Sequence, residues 1–408
     1  MNELPVSQLL TVDQAIAVLD SIPLQPRIVQ MPLAESAGYR LAEDIYSDSD
    51  YPPFDKAVMD GFAVRAQDAA VSGASLTLIE TIAAGTVGQA TVGPGQAAAI
   101  MTGAPLPAGA DAVIPVELTQ RSNKQVTLKQ PAKPGQAIAR RGSDAPAGKL
   151  LLTMGTPIGP AQIGVAATVG KVTLAVLDKP SVALLATGDE LVEIDQIPRG
   201  AQIRNSNLHM LKALLQQLGC NVRSLGIARD NPDLIRQAIV NGLTADALFV
   251  TGGMSMGEHD YVPRLLSELG MSLRISKLRI KPGKPFVFAT ATHPIQGSKN
   301  PAIVFGLPGN PVSAYVCTFR LASRVLSRLS GGTPETQILN CKLLNNLAAN
   351  GPRETYLPAF RSLNQVEVLN SNGSADLFTL GRANALVVRF ENAPAAAAGD
   401  DIPVLNLM

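Results

Sequence analysis

Short segments between residues 186 and 313 concentrate the residue types that handle anions. ATGDEL (186–191) places two carboxylates, Asp189 and Glu190, in a small turn directly after an apolar run. Two carboxylates there would repel a phosphate, so a phosphorylated ligand at this turn calls for Mg²⁺ or a protein donor. The same residues also suit a solvated turn. TGGMSMGEHDY (251–261) supplies Gly252, Gly253 and Gly257, where the backbone can approach an anion, and Ser255 as a hydroxyl donor. Asp260 falls at the start of the next helix, either as a metal-capable carboxylate or as an N-cap. The segment lacks the Gly-Lys-Ser/Thr ending of a P-loop and the spacing of the dinucleotide fingerprint.

KLRIKPGKP (277–285) sets Lys277 and Lys281 on one side of an extended strand, with Lys284 beyond a Pro-Gly turn. In a near-neutral chain these three cations read either as an anion site or as a solvated basic edge strand. In GLPGNPVS (306–313), Pro308 and Pro311 stiffen a loop that also carries Gly309 and Asn310. Pro311 suits an early helix position, which leaves free N–H groups at the entrance of a preformed site. Further upstream, PPFDKAVMDGFAV (52–64) holds Asp55 and Asp60, and MTGAPLP (101–107) puts Thr102 at a sharp turn; each fits a site or a purely structural turn. Three histidines and three cysteines are scattered without zinc or disulfide spacing. No nucleophilic triad is visible, and any metal should be a hard cation held by carboxylates and phosphate oxygens.

These segments need strands and helices to position them, and the chain of 408 residues is long enough for about two or three domains. TVDQ (11–14) has the form of a capping box, with Ala15, Val18, Leu19 and Ile22 following at helical spacing. Residues 76–117 break into short β-type runs. A Gly/Ala-rich helix near 155–170 follows, and then an alternation of strand and helix from Ser181 that predicts an α/β domain with a mostly parallel sheet. Beyond about residue 331, strand-like pieces with Asn/Gly turns predict a C-terminal β domain, with residues 393–399 as a flexible loop. Lys+Arg 34 against Asp+Glu 33 leaves a formal charge of +1, which supplies no field for bulk nucleic-acid binding. Aromatic residues are only 4% with no Trp, which weakens single-strand binding by stacking. There is no uncharged apolar run of about 18 residues to span a membrane. The N-terminus has no signal-peptide pattern, so a cytoplasmic, reduced protein is expected.

Taken together, PPFDKAVMDGFAV, MTGAPLPAGADAVIPVE, ALLATGDELVE, IRNSNLHML, TGGMSMGEHDYV, KLRIKPGKPFVFA and FGLPGNPVSA resemble the molybdopterin molybdenumtransferase family, MoeA and the E domain of gephyrin. The strings run in order from about residue 10 to the C-terminus. The resemblance implies a multidomain fold, α/β plus β. It divides into a discontinuous, elongated N-terminal domain (1–46 and 145–178), an inserted β domain (47–144), the α/β molybdopterin-binding domain (179–330) and a C-terminal β domain (331–408). It implies a homodimer with shared active sites, and transfer of molybdenum from molybdate to adenylylated molybdopterin with Mg²⁺-dependent release of AMP. An adenylyltransferase and apo-molybdoenzymes are the further partners it suggests. Carried over residue by residue, it gives Lys277, Lys281 and Lys284 to phosphates and molybdate. Glu190, Asp230 and Asp260 go to Mg²⁺ or to water, Ser255 and the glycine backbone to an oxyanion, and Ser374 to the molybdate site. Asp60 and Thr102 act across the dimer, with Asp144 as a further candidate.

The sequence departs from the family pattern at two places. Lys56-Ala57-Val58 stand where relatives commonly read Asn-Ser-Ala, and RETY (353–356) is followed by Leu357-Pro358 rather than a second arginine, for which Arg361 and Arg382 are the replacements considered. These departures support a competing reading as a non-catalytic carrier of the pterin, and the TGGxG-type turn, shared with related single-domain proteins, supports another as an ATP-using molybdopterin adenylyltransferase.

Overall fold

The computed structural model describes residues 9–254, 261–294, 300–334 and 338–407. The chain opens with helix α1 (Val12–Asp20), where the Thr11 hydroxyl accepts from Gln14 N–H and the Gln14 side chain accepts from Thr11 N–H. That is the expected capping box, and Val12, Ala15 and Leu19 form the buried stripe of the helix. The described residues divide into two compact units, one from residues 30–37 and 41–176, the other from residues up to 29, 38–40 and 177 onward.

The first unit is built on six strands: β1 (Gly61–Val64), β2 (Ser75–Ile82), β3 (Gln96–Ile100), β4 (Ala112–Pro115), β5 (Thr119–Ser122) and β6 (Gln125–Leu128). They lie in the order β4-β1-β3-β2-β6-β5, antiparallel except for β2 with β3. Side chains alternate between two cores. Phe62, Val64, Ala97, Ala99 and Ile114 enter one, while Ala63, Ala98, Ile100 and Val113 enter the other. Small residues let the sheet be covered on both faces. Gly61 is the tightest point, since a Cβ there would lie 2.0 Å from the Ile114 carbonyl oxygen. Helix α2 (Pro160–Thr168), with proline in its first turn, is the Gly/Ala-rich helix read from the sequence.

In the second unit, β7 (Ser181–Thr187), α3 (Ser206–Gln217), β8 (Asn221–Ala228), α4 (Pro232–Gly242) and β9 (Ala247–Thr251) alternate as expected. Then come α5 (Tyr261–Glu268), β10 (Met271–Ile275), β11 (Ile280–Lys281), β12 (Val287–Pro294), β13 (Pro301–Leu307) and α6 (Pro311–Cys317). The sheet order is β8-β7-β9-β13-β12-β10; the first four strands are parallel, and β12 and β10 run antiparallel to their neighbours. Helices cover both faces, so β7 from Val182 to Ala186 and β9 from Ala247 to Val250 are continuous buried apolar runs, each ending in a buried threonine. Helix α6 continues through a π turn (Thr318–Ala322) into α7 (Ser323–Leu329).

The C-terminal strands β14 (Ile338–Leu343), β15 (Glu354–Ser362), β16 (Gln365–Val368), β17 (Ala385–Arg389) and β18 (Asp401–Asn406) close on themselves. The ring runs β15-β16-β14-β18-β17 and returns to β15 around Cys341, Leu343, Ala359, Val366, Val387 and Val404. Closure removes the exposed edges that an open sheet would leave. Two expectations change. The 277–281 segment is not one extended strand: Leu278 bridges Leu10 and its N–H bonds back to the Lys284 carbonyl to close a loop, while Ile280–Lys281 joins β15 in parallel. The 393–399 loop is tied down, since Leu347 and Ala396 exchange two backbone hydrogen bonds. Among the described residues no helix is long and apolar enough to cross a membrane.

Gly61→Ala should destabilise the first unit by about 1–3 kcal/mol, because strand β4 backbone must move to admit the methyl group. Urea unfolding checks this, and an unchanged midpoint and slope would contradict the close approach.

Candidate active site

Strand β7 leads to β8 on one side and β9 lies on the other, so the connections diverge at the carboxyl ends of β7 and β9, where open α/β sheets bind ligands. Three turns meet there. Gly252 has φ +90° and a Cβ on it would lie 2.4 Å from the Thr187 carbonyl oxygen. Gly253 (φ +63°) is likewise packed against the Thr187 hydroxyl. Only glycine permits that spacing in that conformation. Asn207, in the first turn of α3, fastens two of the turns by donating to Thr251 Oγ1 (3.1 Å) and to the Gly309 carbonyl (2.7 Å). Asn205 caps the same helix by accepting from Leu208 N–H. Yet Asn207 Oδ1, Thr187 Oγ1 and Asn205 Nδ2 are buried without a partner among the described residues. Buried polar atoms are rarely left so, and water or a ligand group is the usual complement.

Beside these turns Asp189 and Asp230 brace each other, each carboxylate accepting from the other's backbone N–H at 3.2 Å. Arg229 donates to the Asp189 carbonyl (2.8 Å), and Glu190 stands exposed next to them. Ser255, Gly257 and Asp260, with His259, lie outside the described residues. Among the described residues no three His, Cys, Asp or Glu side chains gather as a metal cage. The donor set that is present is oxygen only, which suits Mg²⁺, an ion commonly held by one or two carboxylates with the rest of its shell from substrate phosphates and water.

The third turn also reaches a cavity of about 480 Å³ whose walls include Lys281, Lys284, Pro308, Asn310, Arg353 and Ser374. Asn310 Nδ2 donates to Ser374 Oγ (2.8 Å), and Val312 N–H donates to the Ser374 carbonyl (3.1 Å), so the loop after β16 is fixed to the start of α6. Among the described residues no carboxylate lines this cavity. Lys281, Lys284 and Arg353 make no ion pair among the described residues, so their charges are left to act on whatever enters the cavity. Lys277 is not in the wall, because the loop closure at Leu278 separates it from Lys281. Arg361 and Arg382 do not replace a second arginine. Arg361 donates to the Leu363 carbonyl in its own hairpin, neither residue lines the cavity, and Leu357 and Pro358 fill that part of the wall.

In the first unit, Asp60 Oδ1 accepts from both the hydroxyl and the backbone N–H of Thr102, each at 2.6 Å. Those two bonds, the hydroxyl first, hold the Asp60 carboxyl below the usual carboxylate range. Asp55 is likewise lowered by Arg141 N–H and the Arg140 guanidinium. Of the altered residues, Ala57 is fully buried in a core of this unit and Val58 is exposed. The sequence reading passed over Thr187, Thr251, Asn205 and Asn207 as site residues. The available signal was the IRNSNL string, which puts a second asparagine on the buried face of α3.

Fold and site together define a multidomain α/β protein with three turns meeting at its strand ends and a cation-walled cavity beside an attached β-barrel. Residues 10–170 match the family model of the MoeA N-terminal region (domain I and II). Residues 183–328 match a probable molybdopterin binding domain, and 340–407 the MoeA C-terminal region (domain IV). A molybdopterin molybdenumtransferase of Nostoc sp. is 35% identical over 385 residues, covering 91% of this chain and 86% of that protein. One of Bacillus subtilis is 32% identical over 391 residues, covering 92% and 89%. The crystal structure of the molybdopterin biosynthesis MoeA protein of Pyrococcus horikoshii superposes with a TM-score of 0.83 at 26% identity, covering 98% of this chain and 100% of that one. The chain belongs to the molybdopterin molybdenumtransferase family and is an enzyme of that family.

Thr102→Val removes the hydroxyl donor, so Asp60 should protonate at higher pH than in the parent protein, nearer the ordinary carboxylate range. NMR titration of the Asp60 carboxyl reads this directly, and an unmoved titration would contradict the hydrogen-bond assignment.

Proposed function

We propose that the enzyme transfers molybdenum from molybdate to adenylylated molybdopterin and releases AMP with the help of Mg²⁺. The observation that carries this reading is the cavity walled by Lys281, Lys284 and Arg353, with no carboxylate among the described residues lining it, joined through the 308–311 turn to the glycine-rich strand ends. Cleaving a phosphoric anhydride depends on charge neutralisation and positioning more than on a covalent nucleophile. The backbone of Gly252, Gly253 and Gly257, with Ser255, would hold phosphate oxygens. Pro308, Gly309, Asn310 and Pro311 would form a stiff entrance. Lys281, Lys284, Arg353 and Ser374 would take molybdate and neutralise charge, with Lys277 further along the same approach. Glu190, Asp230 and Asp260 would hold Mg²⁺, which when bound polarises the anhydride and offsets its charge.

The four-region division at 1–46 with 145–178, 47–144, 179–330 and 331–408 belongs to the same proposal. So does a homodimer in which Asp60 and Thr102 serve the partner's pocket. Supporting the dimer, Val58, Met59 and Met101 flank those two residues in the chain and are exposed apolar side chains. Supporting a reducing, cytoplasmic setting, Cys220, Cys317 and Cys341 are free and buried, and burial pushes the Cys220 thiol up to about 12.

The test is AMP release by the purified enzyme from adenylylated molybdopterin and Mg²⁺, with and without molybdate. Release should require molybdate, and Lys281→Ala should lower it by about a hundredfold while leaving the thermal transition in place. Release indifferent to molybdate would contradict the proposal.

A further inference from the structure

Behind the cavity lies a buried charged cluster that the chemistry above does not use. Arg320 sits in the π turn between α6 and α7, and its Nε donates to the Tyr356 hydroxyl at 2.8 Å. That hydroxyl in turn donates to Glu354, which lies 4.0 Å from Arg320. The Arg320 and Glu354 side chains are each 7% exposed, and Tyr356 is 1% exposed. A buried ion pair is a poor source of stability, because desolvating both charges offsets their attraction, and apolar side chains of similar volume would join helix and barrel at least as well. What such a cluster provides is a fixed geometry.

The elements it fixes are those that present the cations. Glu354 and Tyr356 belong to β15, whose first residues follow Arg353 and whose Thr355 and Tyr356 line the cavity. Strand β11 pairs with the same residues, Ile280 opposite Glu354 and Lys281 opposite Thr355, and Glu354 N–H donates to the Arg279 carbonyl at 2.9 Å. Immediately before the π turn, Cys317 packs under the Pro-Gly turn between Lys281 and Lys284, where a Cβ on Gly283 would lie 2.5 Å from its sulfur. A single helix face therefore supports the lysine loop and the arginine strand at once. π turns often mark functional sites, and here the extra residue accompanies the inward placement of Arg320.

We propose that Arg320, Tyr356 and Glu354 are positioning residues that set the spacing of Arg353 against Lys281 and Lys284, and so determine which tetrahedral oxyanion the cavity accepts. The proposal rests on reading the cavity as an oxyanion site. Molybdate and sulfate share charge and shape but differ in radius, so cations held at one spacing favour one of them. Cations free to drift lose the preference.

The experiment measures binding of molybdate and of sulfate to the full-length protein by equilibrium dialysis, alongside molybdate-dependent AMP release. Tyr356→Phe keeps the ring and removes the hydroxyl that joins Arg320 to Glu354; Glu354→Gln is the second variant, should the first fail to fold. The expected result for Tyr356→Phe is a thermal transition near that of the parent and an affinity for molybdate lower by about tenfold. Sulfate binding should be much less affected, and the KM for the pterin substrate unchanged. Unchanged molybdate affinity, or an equal loss for both anions, would overturn the positioning role, as would a parent protein that binds neither anion. Selective loss of molybdate affinity in a parent enzyme that shows no molybdate-dependent AMP release would sustain the positioning role and overturn the proposed reaction instead.

Discussion

Like charges do not gather without a restraint, and the structure turns on one such gathering. Lys281, Lys284 and Arg353 share a cavity that, among the described residues, offers them no carboxylate, in a chain whose formal charge is only +1. Their repulsion must be opposed by the backbone and core that carry them. The pairing of Ile280–Lys281 with β15, the closure of the 278–284 loop, and the full burial of Leu278, Ile280 and Phe286 do this. Burying a large apolar side chain contributes about 1.5–3 kcal/mol, enough to hold partly solvated cations together. The resulting local field is what an oxyanion would meet.

The strand-end site and the cavity are joined through one turn. Gly309 is held by Asn207 toward β7 and β9, while Pro308 and Asn310 face the cavity, and Asn310 reaches Ser374. A ligand with a phosphate at one end and an oxyanion-binding group at the other thus meets a continuous, stiffened surface. The two prolines limit how far that surface can relax, which favours a preformed site over one assembled on binding.

Most of the architecture was legible because it depends on local pattern. The capping box of α1, the buried apolar runs of the parallel sheet and the Gly-rich turns each carry a short-range physical requirement that a sequence displays. What was not legible depends on distant partners. Nothing near Lys281 indicates that its strand will join a barrel strand more than seventy residues later, and that pairing places Lys281 in the cavity while the loop at Leu278 leaves Lys277 out. The same holds for Asn207, whose two acceptors lie in other turns, and for Arg320, which looks like a surface residue of a long helix until the π turn rotates it inward. The Lys56-Ala57-Val58 departure is absorbed in part for an equally non-local reason, since Ala57 packs into a core formed by strands that follow it.

The account stands or falls on whether an oxyanion occupies the cavity between Lys281, Lys284 and Arg353. Crystals of the enzyme soaked in molybdate, with diffraction recorded at the molybdenum absorption edge, would show this without any assumption about turnover. An anomalous peak among those three side chains and Ser374 is the expected result. A peak confined to the strand-end turns, or none in the cavity at saturating molybdate, would contradict it.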